Sequence, residues 1–195
     1  MNNTEAKIKE VYSSFGERLS YDDFKNKLDS LPVDKWNFVR AVLLYQQSVK
    51  CSKCNPNVGM SLLCSCADAI QLVGEGKPKE NFMKFYLNYC PLSLRTSPIK
   101  YFPEGKLLPS PLTAPFEKAL HYIYKQFRCL FVHEGIGRLD IAPEIEGVIM
   151  IPFPLMDKIK KEKDVYLIDL DKILSWFDRV TIESLSTMLL QAGKT

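Results

Sequence analysis

The sequence has no apolar run long enough to cross a bilayer. Its longest apolar stretch, residues 147–156, is interrupted by Pro152 and Pro154, whereas a membrane-spanning helix needs about 20 consecutive apolar residues. The amino terminus also lacks the basic, apolar and small-residue order of a signal peptide. Both absences favour a cytoplasmic protein that does not enter a membrane.

The motifs of several large enzyme classes are also missing. The sequence contains no internal repeat, no phosphate-cradling glycine loop, no dinucleotide fingerprint, no His-Glu-x-x-His zinc motif and no nucleophile elbow. These absences argue against repeat architectures, nucleotide-dependent enzymes of the common folds, zinc proteases and α/β-hydrolases.

A strong excess of one charge is missing as well. The 195 residues contain 26 Lys and Arg against 23 Asp and Glu, which gives a formal net charge of +3. A nucleic-acid partner must therefore be bound by a local basic patch and not by the field of the whole protein. Apolar residues make up 46% and charged residues 25%, a composition typical of one folded domain of ordinary size.

The most frequent pattern that the sequence does contain is helical periodicity. The helix at 58–73 is apolar nearly all round apart from Asp68, so we expect it to be central and buried. Residues 91–115 include six prolines and are predicted to form a loop. In all, the periodicity predicts helices at 5–15, 21–31, 34–49, 58–73, 79–89, 115–133 and 171–191.

Two apolar runs near the carboxyl terminus have the character of strands. They cover residues 147–152 and 165–170 and are separated by a lysine-rich stretch at 157–164. This pattern predicts a β-hairpin with a charged, solvated connection. The predicted fold class is therefore mainly α with a small appended β-hairpin.

The chain contains two histidines, His121 and His133, both on the helix predicted at 115–133. They are twelve residues apart and so differ by about 120° around a helix axis, which disfavours a paired metal site. His133 has a closer candidate partner in Arg128, five positions earlier or about 1.4 turns away. That spacing would allow both side chains to contact one phosphate.

The segment Tyr124-Lys-Gln-Phe-Arg-Cys-Leu-Phe-Val-His-Glu-Gly135 resembles the Arg-x4-His signature of HEPN domains, an α-helical family associated with nucleotide and RNA binding. An earlier helix in that family carries an acidic residue within a run of small apolar residues, and Ser65-Cys-Ala-Asp-Ala-Ile70 is similar. The resemblance covers about residues 34–137. It departs from the family at Asp68, where glutamate is more frequent, and at Cys129, where many active members have a small polar residue.

The resemblance implies a HEPN-like antiparallel helical bundle over residues 34–137. Residues 1–33 would then be an N-terminal helical extension, and residues 138–195 would add the hairpin and the last helix to the same domain. The resemblance also implies a metal-independent endoribonuclease that acts as a homodimer. RNA is the implied substrate, and an antitoxin or another protein is the implied partner in a defence or toxin–antitoxin setting.

The implied catalytic residues are Arg128, His133 and Asp68, and their chemistry suits RNA cleavage. A histidine can take the proton of a 2′-hydroxyl that attacks its own phosphodiester. An arginine can bind the phosphate and stabilise the charge that develops on it. The substrate supplies the nucleophile, so no metal or other cofactor is required for catalysis.

Simpler interpretations of the same residues stay open. An arginine and a histidine near a helix end often cap carbonyls or bind a carboxylate, and Asp68 could pair with any nearby cation. The alternative function is a non-catalytic helical module that binds RNA, a nucleotide or a protein, with zinc as a stabilising ion.

The six cysteines include four within sixteen residues, and without an export signal we expect them to stay reduced. Cys51 and Cys54 form a C-x2-C pair, which is able to supply two ligands of a structural zinc, with Cys64 and Cys90 as the other two. Cys66 lies about 200° from Cys64 around a helix, so only one of these two could bind the same ion. Unliganded thiols and a redox pair are the alternatives.

Overall fold

The computed structural model describes residues 3–74, 76–103, 110–129, 144–145, 148–151 and 165–193. Within these ranges the protein is mainly helical and has a small antiparallel sheet, which confirms the predicted fold class at this level. Among the helices described there, none combines the length and the apolarity that a membrane span requires.

Seven α-helices lie in the described ranges, and each overlaps a helix predicted from the sequence. All but the sixth differ from the predicted bounds by only a few residues, and a 3₁₀ turn (Leu92–Leu94) follows the fifth. The helices are α1 (Asn3–Tyr12), α2 (Tyr21–Asp29), α3 (Lys35–Ser52), α4 (Pro56–Ile70), α5 (Pro78–Tyr89), α6 (Phe116–Ile123) and α7 (Leu170–Gln191).

Side-chain caps explain where several of these helices begin. The Ser20 hydroxyl accepts a hydrogen bond from the Asp23 backbone N–H at 3.1 Å at the start of α2. Asp34 accepts from the Trp36 N–H at 2.8 Å before α3, and Asn55 caps α4 in the same way. Each cap satisfies backbone donors that have no partner inside the helix.

The helix that carries the Arg-x4-His signature changes its geometry before it reaches Arg128. After α6, residues Tyr124–Cys129 continue as a π-helix, in which the backbone bonds span five residues instead of four. The prediction of a regular α-helix was therefore wrong at 124–129. Residues 130–133 lie outside the described residues, so the predicted spacing of Arg128 and His133 stays a prediction.

One hydrophobic core extends from α1 to α7, and α4 supplies much of its centre, as predicted. Residues of the N-terminal segment 3–33 also belong to it: Phe24 of α2 is fully buried, and its ring stacks on Phe15 at 5.8 Å between centroids. A surface ion pair between Arg18 and Glu183 joins this region to α7. Residues 3–33 thus pack on the same core as the helices that follow them.

Within the described residues the sheet contains five short strands in the order β2-β1-β5-β4-β3, and every neighbouring pair is antiparallel. The predicted hairpin is confirmed, because the fourth and fifth strands pair from Ile149 opposite Ile168 to Ile151 opposite Tyr166. The strands are β1 (Lys100–Phe102), β2 (Leu112–Thr113), β3 (Glu144–Ile145), β4 (Val148–Ile151) and β5 (Val165–Ile168).

The proline-rich segment, predicted to form a loop, contains two short strands in its described residues. It contributes β1 and β2 as well as the 3₁₀ turn, and β1 pairs with β5 through Lys100 opposite Leu167 and Tyr101 opposite Tyr166. The hairpin is consequently part of a larger sheet. Prolines 98, 103 and 111 stand outside these strands, where a missing backbone N–H disrupts no ladder bond.

Candidate functional site

An ion pair joins Arg128 to Asp68, two of the site residues that the sequence predicted. Nε of Arg128 donates to Oδ2 of Asp68 at 2.9 Å, across 60 positions of sequence. The two side chains are 17% and 23% exposed, so the pair is partly shielded from water. The guanidinium carbon also lies 5.7 Å from the centre of the Tyr124 ring, within the range of a cation–π contact. Asp68 and Tyr124 together hold the Arg128 side chain in place.

Two elements bring these residues together. Asp68 lies near the end of α4, between the buried small residues Ala67 and Ala69, and Arg128 lies in the π-helical segment. The Ser61 hydroxyl of α4 donates to the carbonyl of Phe127 at 3.0 Å, which fixes the π-helical backbone against α4 beside Arg128.

A pocket of about 230 Å³ adjoins the ion pair. This volume is several times the ~30 Å³ of one water molecule and lies below the ~300–1,000 Å³ typical of pockets for drug-sized ligands, so the pocket suits a small polar group. Besides Asp68 and Arg128, its walls come from the loop between α4 and α5 and from the start of α5: Gln71, Val73, Gly74, Gly76, Lys77, Pro78 and Asn81.

The buried side-chain amide of Asn81 stabilises one wall of this pocket. The side chain of Asn81 is 3% exposed, and its Oδ1 accepts from the Val73 N–H at 3.2 Å. Its Nδ2 donates to the carbonyl of Ala67, one residue before Asp68. Asn81 therefore ties the start of α5 both to the end of α4 and to the loop that follows it.

The electrostatics of Asp68 reflect its partial burial. Desolvation raises the pKa of its carboxyl above the usual value, and the hydrogen bond and charge of Arg128 oppose this rise without cancelling it. Oδ1 is shut off from solvent and has no hydrogen-bond partner among the described residues. Of the two carboxylate oxygens, Oδ2 is therefore the one that interacts with its surroundings, through its contact with Arg128 beside the pocket.

Of the three predicted catalytic residues, the structure brings two together. Asp68 and Arg128 are in direct contact, whereas His133 lies outside the described residues. The sequence analysis missed the pocket residues Lys77 and Asn81. For Asn81 a signal existed, because it is a polar residue on the face of α5 that otherwise carries buried aromatic residues.

The cysteines predicted as zinc ligands differ in exposure. Cys64 and Cys90 are buried, Cys51 is half-buried and Cys54 is exposed, and burial raises the pKa of Cys90 to about 11. The described residues contain no group of three or more His, Cys, Asp or Glu side chains placed to hold a metal ion. The structural zinc stays a prediction, which metal analysis of the purified protein can test.

Of the residues that carry the resemblance, Arg128 and Asp68 are observed in contact. Comparison of the chain with known protein families, with curated proteins and with solved structures gave no match.

Proposed function

We propose that this protein is a HEPN-like, metal-independent endoribonuclease in which Arg128 and His133 act on RNA at the interface of a homodimer. The observation that supports the proposal is the 2.9 Å contact between Arg128 and Asp68 beside a pocket. The resemblance implies that Asp68, an acidic residue of an earlier helix, belongs to the same site as Arg128 and His133. Its contact with Arg128 across 60 positions of sequence agrees with that expectation.

In the proposed reaction the 2′-hydroxyl of one nucleotide attacks the adjacent phosphorus. His133 accepts the proton of this hydroxyl, and the imidazole suits this role because its ordinary pKa lies near neutrality. The 2′-oxygen forms a bond to phosphorus while the bond to the 5′-oxygen breaks, and a proton is returned to that leaving oxygen.

Arg128 stabilises the negative charge that gathers on the phosphate during this step. Asp68 acts as a positioning residue, because its carboxylate accepts a hydrogen bond from Nε and so orients the guanidinium. A guanidinium that is already oriented by a carboxylate and an aromatic ring loses less freedom when it binds the substrate.

The wider setting belongs to the same proposal. The helices would form a HEPN-like antiparallel bundle, and the homodimer would act in the cytoplasm on RNA. A defence or toxin–antitoxin role would require an antitoxin or another protein partner to hold the activity in check.

The test is cleavage of a labelled RNA by the purified protein in the presence of a chelator. We expect Arg128→Ala and His133→Ala each to reduce the cleavage rate by at least about a hundredfold, the usual range for losing a general base or a charge-stabilising donor. His121→Ala is the matched control, because His121 is the only other histidine of the chain. Equal cleavage by all variants, with folding verified by circular dichroism, would contradict the proposal.

The ion pair also favours a second candidate function. A carboxylate that neutralises Arg128 is what a structural arginine requires, and a non-catalytic module would bind RNA, a nucleotide or a protein at the same pocket. RNA that is retained but left uncut, with binding weakened by Arg128→Ala, would favour this alternative.

A further inference from the structure

The structure separates the cysteines into two groups that the sequence alone did not distinguish. Cys54 is exposed and Cys51 is half-buried, whereas Cys64, Cys66 and Cys90 are buried. Burial also raises the pKa of Cys66 and of Cys90, which lowers the fraction of reactive thiolate. Among the cysteines whose side chains are described, the C-x2-C pair is thus the accessible one.

Cys51 and Cys54 lie on one backbone turn at the end of α3. The N–H of Cys54 donates to the carbonyl of Cys51 at 3.0 Å, and the N–H of Asn55 donates to the same carbonyl at 2.8 Å. A turn closed by such a bond places the first and fourth Cα atoms within about 7 Å, and a disulfide needs about 4.4–6.8 Å between them.

The Cβ atoms require a small local movement. Residues three apart on a regular helix have Cβ atoms about 5–6 Å apart, whereas a disulfide needs about 3.5–4.5 Å. Cys54 lies beyond Ser52, the last residue of α3, and before the extended Asn55. The movement therefore falls on Lys53 and Cys54, in the connection between α3 and α4.

We propose that Cys51 and Cys54 form a redox-active dithiol that closes to an intramolecular disulfide by exchange with a small-molecule disulfide such as glutathione disulfide. Cys54, the more exposed thiol, attacks first as a thiolate, forms a bond to one glutathione sulfur and releases the other as glutathione. Cys51 then attacks the Cys54 sulfur and releases the second glutathione. The two protein thiols lose two electrons and two protons, which reduce one glutathione disulfide to two glutathione molecules.

The side chain of Cys51 has a weak contact that does not oppose its resolving role strongly. Its sulfur accepts a long hydrogen bond from Nε2 of Gln47 at 3.6 Å, and this bond breaks when the sulfur turns towards Cys54. Exposed disulfides have higher reduction potentials than buried structural ones, so the proposed link is reversible.

To test the proposal, the native protein is incubated in a glutathione redox buffer and the reaction is quenched with acid. The products are then mapped by proteolysis and mass spectrometry. We expect the wild-type protein to lose two hydrogens, about 2 Da, in the peptide that joins Cys51 to Cys54. Cys51→Ser should instead accumulate one glutathione on Cys54, and the wild-type protein should keep less than roughly a tenth of that adduct. Cys54→Ser should react more slowly than Cys51→Ser.

Three results would overturn the proposal. In the first, the wild-type protein retains glutathione on Cys54 as stably as Cys51→Ser does. In the second, the disulfide maps to another pair of cysteines. In the third, zinc in the purified protein occupies Cys51 and Cys54 and blocks the exchange.

Discussion

At the scale of single residues, the contact between Arg128 and Asp68 has the most direct chemical consequences. Sequence reasoning selected both residues, because one charge in an apolar helix and one arginine of a short signature are both conspicuous. It could not supply the atoms in contact or the role of Asn81. Those depend on the path of the loop between α4 and α5, which the local pattern does not encode.

Replacing Arg128 by methionine should destabilise the fold in a pH-dependent way. The variant leaves the half-buried carboxylate of Asp68 without its cation, and we expect a loss of about 2 kcal/mol in the free energy of unfolding at pH 7. Burial already raises the pKa of Asp68, and without Arg128 it should rise further. Denaturant unfolding of the wild-type and variant proteins at pH 4 and pH 7 measures the difference.

The sign of the pH dependence follows from proton binding. A carboxyl whose pKa is higher in the folded state holds its proton more tightly there than in the unfolded chain. Its contribution to stability is therefore greatest at low pH and falls as the pH rises through the folded-state pKa. The loss in Arg128→Met should shrink towards pH 4, and Asp68→Asn in the same chain should recover part of it at pH 7. An equal loss at both pH values would contradict this account.

At the scale of elements, local patterns predicted the helices well and the sheet partly. The caps at Ser20, Asp34 and Asn55 are local signals, and so is the apolar character of α4. The π-helical segment was not predictable, because apolar periodicity barely distinguishes a backbone bond across four residues from one across five. β1 and β2 were missed because strands of three and two residues are shorter than any pattern can establish, and because their pairing with distant β5 orders them.

The corner between α3 and α4 depends on the absence of a side chain at Gly59. A Cβ atom there would clash with the Ser52 hydroxyl and lie 3.0 Å from the Ser52 Cα, which is backbone and unable to move alone. Gly59→Ala should therefore lower the free energy of unfolding by about 2 kcal/mol, although alanine is by itself the better helix former by about 1 kcal/mol.

Gly74→Ala is the matched control for this substitution. A Cβ atom at Gly74 would meet nothing within 4 Å, and Gly74 is not among the glycines with positive φ. This variant should be neutral or more stable by about 0.5 kcal/mol, because alanine restricts the unfolded chain. Thermal unfolding should give a lower Tm for Gly59→Ala and an unchanged or higher Tm for Gly74→Ala. Equal changes in Tm would show that the packing of α3 on α4 is looser than described.

At the scale of the whole molecule, the packing of α1 and α2 indicates that they unfold together with the rest of the core. Phe24 is fully buried, and its ring lies 5.8 Å from Phe15 and 5.5 Å from Tyr12 between centroids. Phe24→Ala should lower the stability of the entire protein by about 3–4 kcal/mol in one cooperative transition. Leu92→Ala, at a side chain that is 81% exposed, is the control and should change little. A separate early transition in Phe24→Ala would mean that residues 1–33 fold as an independent unit.

The proposed homodimer leads to a prediction about dimers that contain two different inactive variants. If a catalytic site takes Arg128 from one subunit and His133 from the other, then Arg128→Ala and His133→Ala are each inactive alone. A mixed dimer of the two regains one intact site of two, since one subunit still supplies the arginine and the other still supplies the histidine. Random mixing makes half of the dimers mixed, so activity should return to about one quarter of the wild-type value.

The measurement is RNA cleavage after the two variants are unfolded and refolded together, with each refolded alone as the control. Recovery would require both subunits at one site, whereas no recovery from a dimer of verified mass would place both groups in the same chain or remove one of them from the reaction.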